Sequence, residues 1–374
     1  MSWSPQQDRA LVAVNRWLKQ GYPQVFRLFG FAGTGKTTLA RTIAEGVRGT
    51  VLFGAYTGKA ALVLKSKGCA DARTIHSLIY KIDDENRGDP TFKINRQSEV
   101  RNASLVIIDE CSMVDEALGK DLLSFGTPVL VLGDPAQLPP VKGGGYFTEQ
   151  RPEVMLTEIH RQASDNPIIH LAQEVREGRA LSVGTYGESR VITDDMVQTG
   201  EVIGADQVLV GLNKTRKSFN RRFRHELQLA SKVSGHSEQF PIGGDRLVCL
   251  RNNREKGLLN GSLWNVESWT AKPGSSSISM VVSNVDSYLD MKEIRVRNEF
   301  STGQEADLPW NVRKQSDEFD YGYALTVHKA QGSQWDNVML FDESRPVTRG
   351  DADASRRWLY TAITRAAEKV TVVL

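Results

Sequence analysis

The most restrictive feature of this sequence is a glycine-rich segment at residues 30–38, which reads Gly-Phe-Ala-Gly-Thr-Gly-Lys-Thr-Thr. It fits the pattern G-x-x-x-x-G-K-[ST], with the lysine at Lys36 and the hydroxyl residue at Thr37. An apolar segment at 25–29 precedes it and a helical pattern begins at Leu39, which is the order strand, loop, helix. Amides of such a loop point at phosphate oxygens. The pattern predicts a nucleoside triphosphate site with Mg²⁺ on Thr37, formed by Gly33, Thr34, Gly35, Lys36, Thr37 and Thr38.

Composition narrows the class of protein. The 374 residues are too many for one ordinary core, which favours two or three domains. The 47 Lys and Arg residues nearly balance the 45 Asp and Glu residues, which leaves a net charge of +2. Any site for a polyanion must therefore be a local patch. Three dispersed cysteines argue against disulfides, zinc and iron–sulfur clusters. With no signal sequence and no apolar run near the roughly 18 residues of a membrane span, we expect a cytoplasmic, non-secreted protein without a membrane segment.

Two further apolar segments end in polar residues suited to phosphate hydrolysis. The segment 105–108 runs into Asp109 and Glu110, as buried parallel strands with functional ends do. We expect Asp109 to bind Mg²⁺ through water and Glu110 to orient and deprotonate the attacking water. The segment 128–132 leads into a loop in which Gln137 is placed to sense the γ-phosphate. Farther along, Arg161 is a candidate arginine finger.

Other residues leave alternatives open. Ser4 and Pro5 predict a helix start, in which Gln7 either binds adenine or is a solvated first-turn side chain. The strand predicted at 50–56 ends in Thr57, Gly58 and Lys59, at the sheet edge where α/β proteins bind ligands.

Two later features are equally open. His76 lies in a short segment that either contacts phosphates or caps a helix. The basic residues that follow Asn213 are either a solvated helix face or phosphate contacts.

Two segments interrupt the α/β pattern. Residues 79–103 contain an acidic turn between two short strand-like runs, which is either a protruding hairpin or a disordered surface loop. Residues 243–303 contain four short strand-like runs separated by turns, which suggests a small inserted β-barrel. A glycine run at 143–145 is the predicted hinge between domains.

The motifs together resemble superfamily 1 DNA helicases of the RecD/Dda type. The segments that carry the resemblance are Gln7, 30–38, 57–61, 74–77, 109–110, 133–140, 161–162, 326–332 and 360–365. The most specific are His-Lys-Ala-Gln-Gly at 328–332 and Thr-Gly-Lys-Ala-Ala at 57–61. The resemblance implies an α/β fold of two RecA-like P-loop domains, each a parallel sheet flanked by helices. These are residues 1–148, with a hairpin insertion at 79–103, and residues 149–374, with a β-barrel insertion at 243–308.

The resemblance also implies residue roles, with ATP and Mg²⁺ in the cleft between the domains. The catalytic set is Lys36, Asp109, Glu110, Gln137, Arg161 and Arg365. The residues implied to bind nucleotide beyond the phosphate loop are Gln7, His160 and Gly332, although His160 is equally a packing histidine. The residues implied to lie near nucleic acid are Thr57, Gly58, Lys59, His76, Phe92, Pro139, Asn213, His328, Lys329 and Ser333.

The implied activity is 5′→3′ translocation on single-stranded DNA and unwinding of forked duplexes, with replication or recombination proteins as further partners. Oligomeric state is open, and we expect an active monomer because one chain holds a complete set of motifs. The hairpin would separate the strands and the barrel would clamp DNA. Since the hairpin turn is acidic, we expect it to act through Tyr80 or Phe92 rather than through charge. An RNA helicase and a translocase that strips proteins from DNA are the alternatives. A subunit with a vestigial ATPase is disfavoured because all six catalytic residues are present.

Overall fold

The computed structural model describes residues 3–83, 91–139, 145–158, 165–229, 240–253, 255–271, 276–297, 299–300, 308–313 and 315–374. The strands are β1 (Val25–Gly30), β2 (Val51–Ala55), β3 (Arg73–Thr74), β4 (Tyr80–Asp83), β5 (Thr91–Ile94), β6 (Leu105–Asp109), β7 (Val129–Gly133), β8 (Val154–Leu156), β9 (Gly184–Tyr186), β10 (Ser189–Ile192), β11 (Gln207–Val210), β12 (Arg246–Cys249), β13 (Leu263–Thr270), β14 (Ser277–Asn284), β15 (Ser287–Arg297), β16 (Phe319–Tyr321), β17 (Ala324–Thr326), β18 (Trp335–Phe341) and β19 (Ala366–Val373). The helices are α1 (Pro5–Gln20), α2 (Lys36–Gly46), α3 (Gly58–Ser66), α4 (Ile75–Ile79), α5 (Glu116–Leu123), α6 (Pro167–Arg176), α7 (Thr199–Ile203), α8 (Asn213–Glu226), α9 (Trp310–Arg313), α10 (Val327–Ala330), α11 (Ser344–Thr348) and α12 (Ala352–Ile363).

The first sheet is parallel and six-stranded, in the order β3-β2-β6-β7-β1-β8. Its strands are nearly continuous apolar runs because helices cover both faces, as in α/β proteins. Leu28 and Leu132 lie in the core on one face, whereas Phe29 and Val131 lie in the core on the other. The carboxyl ends of β1, β2, β6 and β7 meet at one edge, where the phosphate loop, Lys59, Asp109 and Asp134 follow them.

The first sheet continues past the predicted domain boundary at residue 148. β8 pairs with β1 in parallel, with Leu28 opposite Val154 and Gly30 opposite Leu156. The chain therefore leaves this sheet only after Leu156. The glycines of 143–145 suggested an earlier boundary because a glycine run is visible in sequence, whereas the pairing of a short edge strand with β1 is not. Of that glycine run, only Gly145 lies within the described residues.

The second sheet has six strands in the order β17-β11-β18-β19-β10-β9. β17, β11, β18, β19 and β10 are parallel, and β9 is an antiparallel edge strand on β10. Its core packs Trp358 and Tyr360 of α12 against Leu209 and Leu340 of the sheet and Leu171 of α6. Both parallel sheets with their helices give the mixed α/β fold that the sequence predicts.

Two antiparallel sheets are separate from the two six-stranded sheets. β4 and β5 pair with Tyr80 opposite Ile94, and the acidic turn between them lies outside the described residues. The other sheet has five strands in the order β15-β14-β13-β12-β16. A bridge also pairs Val296, in the edge strand β15, with Asp317, two residues before the opposite edge strand β16. No helix within the described ranges has the length and apolar character needed to span a bilayer.

Candidate nucleotide cleft and nucleic-acid interface

The phosphate loop joins β1 to α2 in the conformation that its glycines permit. Gly33 and Gly35 have φ of 78° and 79°, a left-handed conformation that costs other residues energy. A Cβ at Gly30 would lie 2.6 Å from Thr34 Oγ1 and 2.8 Å from the Leu156 Cβ, so only glycine fits. Lys36 Nζ donates to the carbonyls of Gly30 at 2.6 Å and of the next residue at 3.0 Å. The lysine is thus held at the mouth of the loop.

Asp109 ends β6 beside this loop, and Glu110 follows it. Thr37 Oγ1 donates to Asp109 Oδ2 at 3.1 Å, and the Glu110 amide donates to Asp109 Oδ1 at 2.8 Å. Burial, with the neighbouring Glu110 carboxylate, raises the pKa of Asp109 above its ordinary value. Glu110 has a φ of 53°, an unusual conformation for a non-glycine residue.

A cleft of about 370 Å³ opens between the two parallel sheets at this point. The predicted residues that line it are Gly33, Gly35, Lys36, Thr37, Thr38, Asp109, Glu110, Gln137, Gly332 and Arg365. Lys67, Gln334 and Thr364 also line it and carried no predicted role. Thr34 is buried and donates its hydroxyl to the Phe31 carbonyl at 2.8 Å, so it supports the loop from behind.

Arg365 brings the second sheet into this cleft. It follows α12, and its guanidinium lies 3.9 Å from Glu110 Oε1. Nε donates to the Thr361 carbonyl at 3.1 Å and Nη1 to the Ser333 carbonyl at 3.3 Å, so the buried side chain is fixed in place. Gly332 approaches the first sheet closely: it has a φ of 74°, and a Cβ there would lie 3.0 Å from Thr57 Oγ1.

The loop after β7 is held by α12. The Tyr360 hydroxyl donates to Asp134 Oδ2 at 2.6 Å and accepts from the Ala32 amide at 2.9 Å. Thr361 Oγ1 accepts from the Leu138 amide at 2.9 Å, and Gln331 Nε2 donates to the Leu138 carbonyl at 3.1 Å. Sequence reasoning assigned no role to Tyr360, although it begins the Tyr-Thr-Ala-Ile-Thr-Arg segment.

Gln7 is not a solvated side chain, because it is 3% exposed. Its Oε1 accepts from the Ser4 amide at 3.0 Å, completing a capping box, and its Nε2 donates to the Thr34 carbonyl at 3.1 Å. It therefore lies behind the phosphate loop and outside the cleft. An adenine contact stays a prediction and requires these bonds to exchange. His160 and Arg161 lie outside the described residues.

A second cavity of about 120 Å³ gathers half of the residues predicted to contact nucleic acid. Its lining includes Thr57, Lys59, His328, Lys329 and Ser333, together with Tyr56, Met113, Asn260, Gly261 and Gln331. Ser333 lines both cavities, so the two sites adjoin. Burial lowers the pKa of His328 and of Lys329 below their ordinary values.

The five-stranded sheet covers this cavity. Asp286, at the turn between β14 and β15, forms a close ion pair with Lys59. Lys329 Nζ donates to Asn260 Oδ1 at 2.6 Å. A Cβ at Gly58 would lie 2.8 Å from the Leu259 Cβ, so this part of the sheet rests directly on the start of α3. The predicted phosphate-binding cations thus have protein partners.

The remaining predicted nucleic-acid residues are dispersed. The His76 ring lies 6.0 Å from Tyr56 and 5.6 Å from Tyr80, while Thr74 caps α4 by accepting from the Ser77 amide. Pro139 and Asn213 are exposed and line neither cavity. The side chain of Phe92 lies outside the described residues.

Tyr80 lies at the base of the hairpin rather than at its turn, since its hydroxyl donates to Asp121 Oδ2 of α5 at 2.6 Å. This contact makes Tyr80 a poor candidate for a strand-separating residue, contrary to the expectation from sequence.

The basic helix α8 was predicted to be either a solvated face or a phosphate contact, and one of its residues is neither. Arg224 is buried there and donates to Asp245 Oδ1 at 2.9 Å.

Comparisons with known proteins agree with this geometry. Residues 3–195 match the AAA domain family and residues 321–373 match the UvrD-like helicase C-terminal domain. The ATP-dependent RecD2 DNA helicase of Deinococcus radiodurans is 30% identical over 368 residues, which cover 91% of this chain and 46% of that protein. The ATP-dependent DNA helicase dda of Enterobacteria phage T4 is 33% identical over 165 residues, covering 40% of this chain and 37% of that one.

A solved structure of Pif1 helicases at forked double-stranded DNA has the same fold. It superposes with a TM-score of 0.61 at 17% identity, covering 99% of this chain and 92% of that one. The chain spans less than half of the length of each of these curated relatives. The chain belongs to the AAA domain family, and its UvrD-like helicase C-terminal domain and its two curated relatives agree with the superfamily 1 helicases of the RecD/Dda type that the motifs resemble.

Proposed function

We propose that this chain is the motor of an ATP-dependent DNA helicase, which hydrolyses ATP in the cleft and uses the cycle to move along single-stranded DNA and unwind forked duplexes. The observation that carries the proposal is the approach of Arg365, from the second sheet, to Glu110 of the first at 3.9 Å. A hydrolytic site completed by the second domain makes hydrolysis depend on how the two sheets are placed. The names of the two curated relatives, both ATP-dependent DNA helicases, support the same activity.

Each residue of the cleft has a defined task in hydrolysis. Lys36 leaves its loop carbonyls to bind the β and γ phosphates, and the loop amides hold the phosphate oxygens. Glu110 orients the attacking water and accepts its proton, while Gln137 contacts the γ-phosphate. Arg365 stabilises the charge that develops on the transferred phosphoryl group, and Arg161 is its proposed second partner. His160 is proposed to stack on the adenine.

Mg²⁺ is the proposed cofactor, and the donors present suit it. The Thr37 hydroxyl and the Asp109 carboxylate are 3.1 Å apart beside the phosphate loop. Mg²⁺ is commonly bound by one or two such oxygens together with water and substrate phosphates. When bound, it would neutralise phosphate charge in the cleft. The Thr37 and Asp109 oxygens would hold the ion, and Lys36 would hold the phosphates.

The second cavity is the proposed DNA site. Thr57, Lys59 and Lys329 provide a hydroxyl and two cations for backbone phosphates, and no base-reading pattern is evident in the sequence. At 120 Å³ the cavity is small, so single-stranded DNA enters only if the five-stranded sheet moves off α3. We therefore propose that this sheet is a barrel insertion that clamps DNA, and that affinity has little sequence preference.

We also propose 5′→3′ polarity and a strand-separating role for the β4–β5 hairpin. The family resemblance implies both. Separating one base-pair step costs roughly 1.4 kcal/mol, which one ATP can supply. A monomer is the proposed active form, because one chain supplies every residue of the cleft.

The test is ATP hydrolysis by the purified protein with and without single-stranded DNA or RNA, together with Lys36→Ala and Glu110→Gln. Strong stimulation by DNA that both variants abolish would support the motor. Forked duplexes with a 5′ or a 3′ tail then measure unwinding polarity. Hydrolysis that no nucleic acid stimulates would overturn the proposal.

The alternatives within the same fold predict different substrates. An RNA helicase would be stimulated by RNA more than by DNA. A translocase that remodels protein–DNA complexes would be stimulated by single-stranded DNA, displace a bound protein and leave a forked duplex intact.

A further inference from the structure

Tyr360 makes an unusual pair of contacts across the two sheets. It lies in α12, which packs on the second sheet, and is 1% exposed. Its hydroxyl accepts from the amide of Ala32, in the phosphate loop, at 2.9 Å. The same hydroxyl donates to Asp134, directly after β7, at 2.6 Å. One oxygen atom of α12, a helix packed on the second sheet, therefore bonds two separate loops that follow strands of the first sheet.

The protonation states suit this geometry. Burial and the adjacent Asp134 carboxylate raise the pKa of Tyr360 well above its ordinary value, so the hydroxyl keeps the proton that it donates. Asp134 is 2% exposed, and the Ala136 amide donates to its other oxygen at 3.0 Å. Loss of the hydroxyl would leave the Ala32 amide and one buried carboxylate oxygen without these partners, which is costly in an interior.

Other interdomain contacts each reach a single loop. Arg357 Nη1 donates to the Pro135 carbonyl at 2.9 Å, and the Arg176 guanidinium lies 3.7 Å from the centre of the Phe31 ring. Gln331, next to the nucleic-acid cavity, bonds the Leu138 carbonyl. A continuous set of contacts thus runs from that cavity through the loop at 133–139 to Tyr360 and the phosphate loop.

We propose that Tyr360 is a positioning residue that couples DNA binding to hydrolysis by tying the loop at 133–139 to the phosphate loop. Through α12 it also sets the position of Arg365 against Glu110. This inference rests on the proposed function, because it concerns how DNA accelerates the ATPase. It concerns a contact between loops rather than a contact with ATP, so the main effect of removing it is on turnover.

The test compares Tyr360→Phe with a matched control, Tyr323→Phe. The Tyr323 hydroxyl has the same pattern of bonds away from the cleft, since it accepts from the Arg246 amide at 3.1 Å and donates to the buried Asp245 at 3.0 Å. Both variants keep the ring and lose one hydroxyl from a buried aspartate. Both are expected to lower the melting temperature, so a loss of stability alone affects them alike.

The measured quantity is the ratio of kcat with saturating single-stranded DNA to kcat without it. For Tyr360→Phe we expect this ratio to fall about tenfold, which is within the usual range of coupling between two sites, while the KM for ATP changes much less. For Tyr323→Phe we expect the ratio of the unmodified protein. Asp134→Ala should reduce the ratio, and combining it with Tyr360→Phe should add little, because both changes remove the same bond.

The outcomes separate this inference from the proposed function. If DNA does not stimulate the unmodified protein, the proposed function fails and the coupling role fails with it. If DNA stimulates the unmodified protein and Tyr360→Phe equally, only the coupling role is overturned. An equal fall for both tyrosine variants, or a rise in KM with an unchanged ratio, would also overturn it.

Discussion

The nucleotide cleft and the nucleic-acid cavity share Ser333 as a wall, yet their cations are occupied differently. In the cleft, Lys36 is bonded to carbonyls of its own loop, and Arg365 lies 3.9 Å from the nearest carboxylate oxygen. In the cavity, Lys59 is paired with Asp286 and Lys329 with Asn260 of the five-stranded sheet. Binding in the cleft therefore requires Lys36 to leave carbonyls of its own loop, whereas binding in the cavity requires two lysines to leave partners in a separate sheet.

The two ligands therefore meet different energetic barriers to binding. ATP needs only local shifts of side chains in a cleft of about 370 Å³. DNA requires the five-stranded sheet to separate from α3, which breaks an ion pair and the contact of Gly58 with Leu259. Substitutions in the cleft should therefore change turnover, and substitutions at the cover should change DNA affinity.

The largest expected effect is that of Arg365→Ala, which tests whether the second sheet completes the cleft. We expect kcat to fall by about 1,000-fold, the lower end of the range for an arginine finger, because no other described cation approaches Glu110 from that side. Arg356→Ala, on the exposed face of α12, is the control and should leave kcat unchanged. Steady-state ATPase measures both, and similar rates for the two variants would show that the cleft works without the second sheet.

The pH dependence of DNA binding should come next in size. Burial lowers the pKa of Lys329, and only the protonated amine attracts a phosphate. As pH rises through that lowered pKa, the lysine loses its proton and affinity for single-stranded DNA falls, by up to about tenfold per pH unit.

Lys329→Arg should abolish this loss, because a guanidinium stays protonated. Fluorescence anisotropy between neutral and alkaline pH measures the effect. A pH profile that the arginine variant does not alter would remove Lys329 from the DNA site.

Asp286→Asn should have a smaller effect of opposite sign. It removes the carboxylate that competes with phosphate for Lys59, so single-stranded DNA should bind more tightly. Since Asp286 is half-exposed, the gain should be at most about fivefold, equivalent to about 1 kcal/mol. Asp290→Asn, which breaks an ion pair with Lys292 on the same strand, is the control. Equal affinities for the two variants would mean that the ion pair of Asp286 with Lys59 does not compete with DNA binding.

The smallest effect on activity is expected for Tyr80→Phe. Loss of the bond to Asp121 should lower the free energy of unfolding by about 1 kcal/mol. Unwinding of a forked duplex should be unchanged, because this residue anchors the hairpin base. Chemical denaturation and an unwinding assay measure the two quantities. A large loss of unwinding would restore Tyr80 as a strand-separating residue.

The nucleotide side of the molecule was accessible to sequence reasoning because its signals are local. The spacing of the phosphate loop, from Gly30 to Thr37, forces a strand, a tight turn and a helix in that order, and the structure has them. Asp109 and Glu110 end an apolar run that only a buried strand explains. Each prediction needed fewer than about ten consecutive residues, over which side-chain period and backbone freedom decide the conformation.

The α/β class, the phosphate loop, the acidic pair and the family resemblance could all be predicted from the order of residues. The partners that these residues meet are visible only in the folded chain. Asp286 is 227 residues from Lys59, and Tyr360 is 226 residues from Asp134. Sequence spacing carries no information on such pairs, because their proximity depends on how two sheets and an antiparallel insertion pack. The same reason explains β8, whose place in the first sheet is fixed by its pairing with β1 and not by its own three residues.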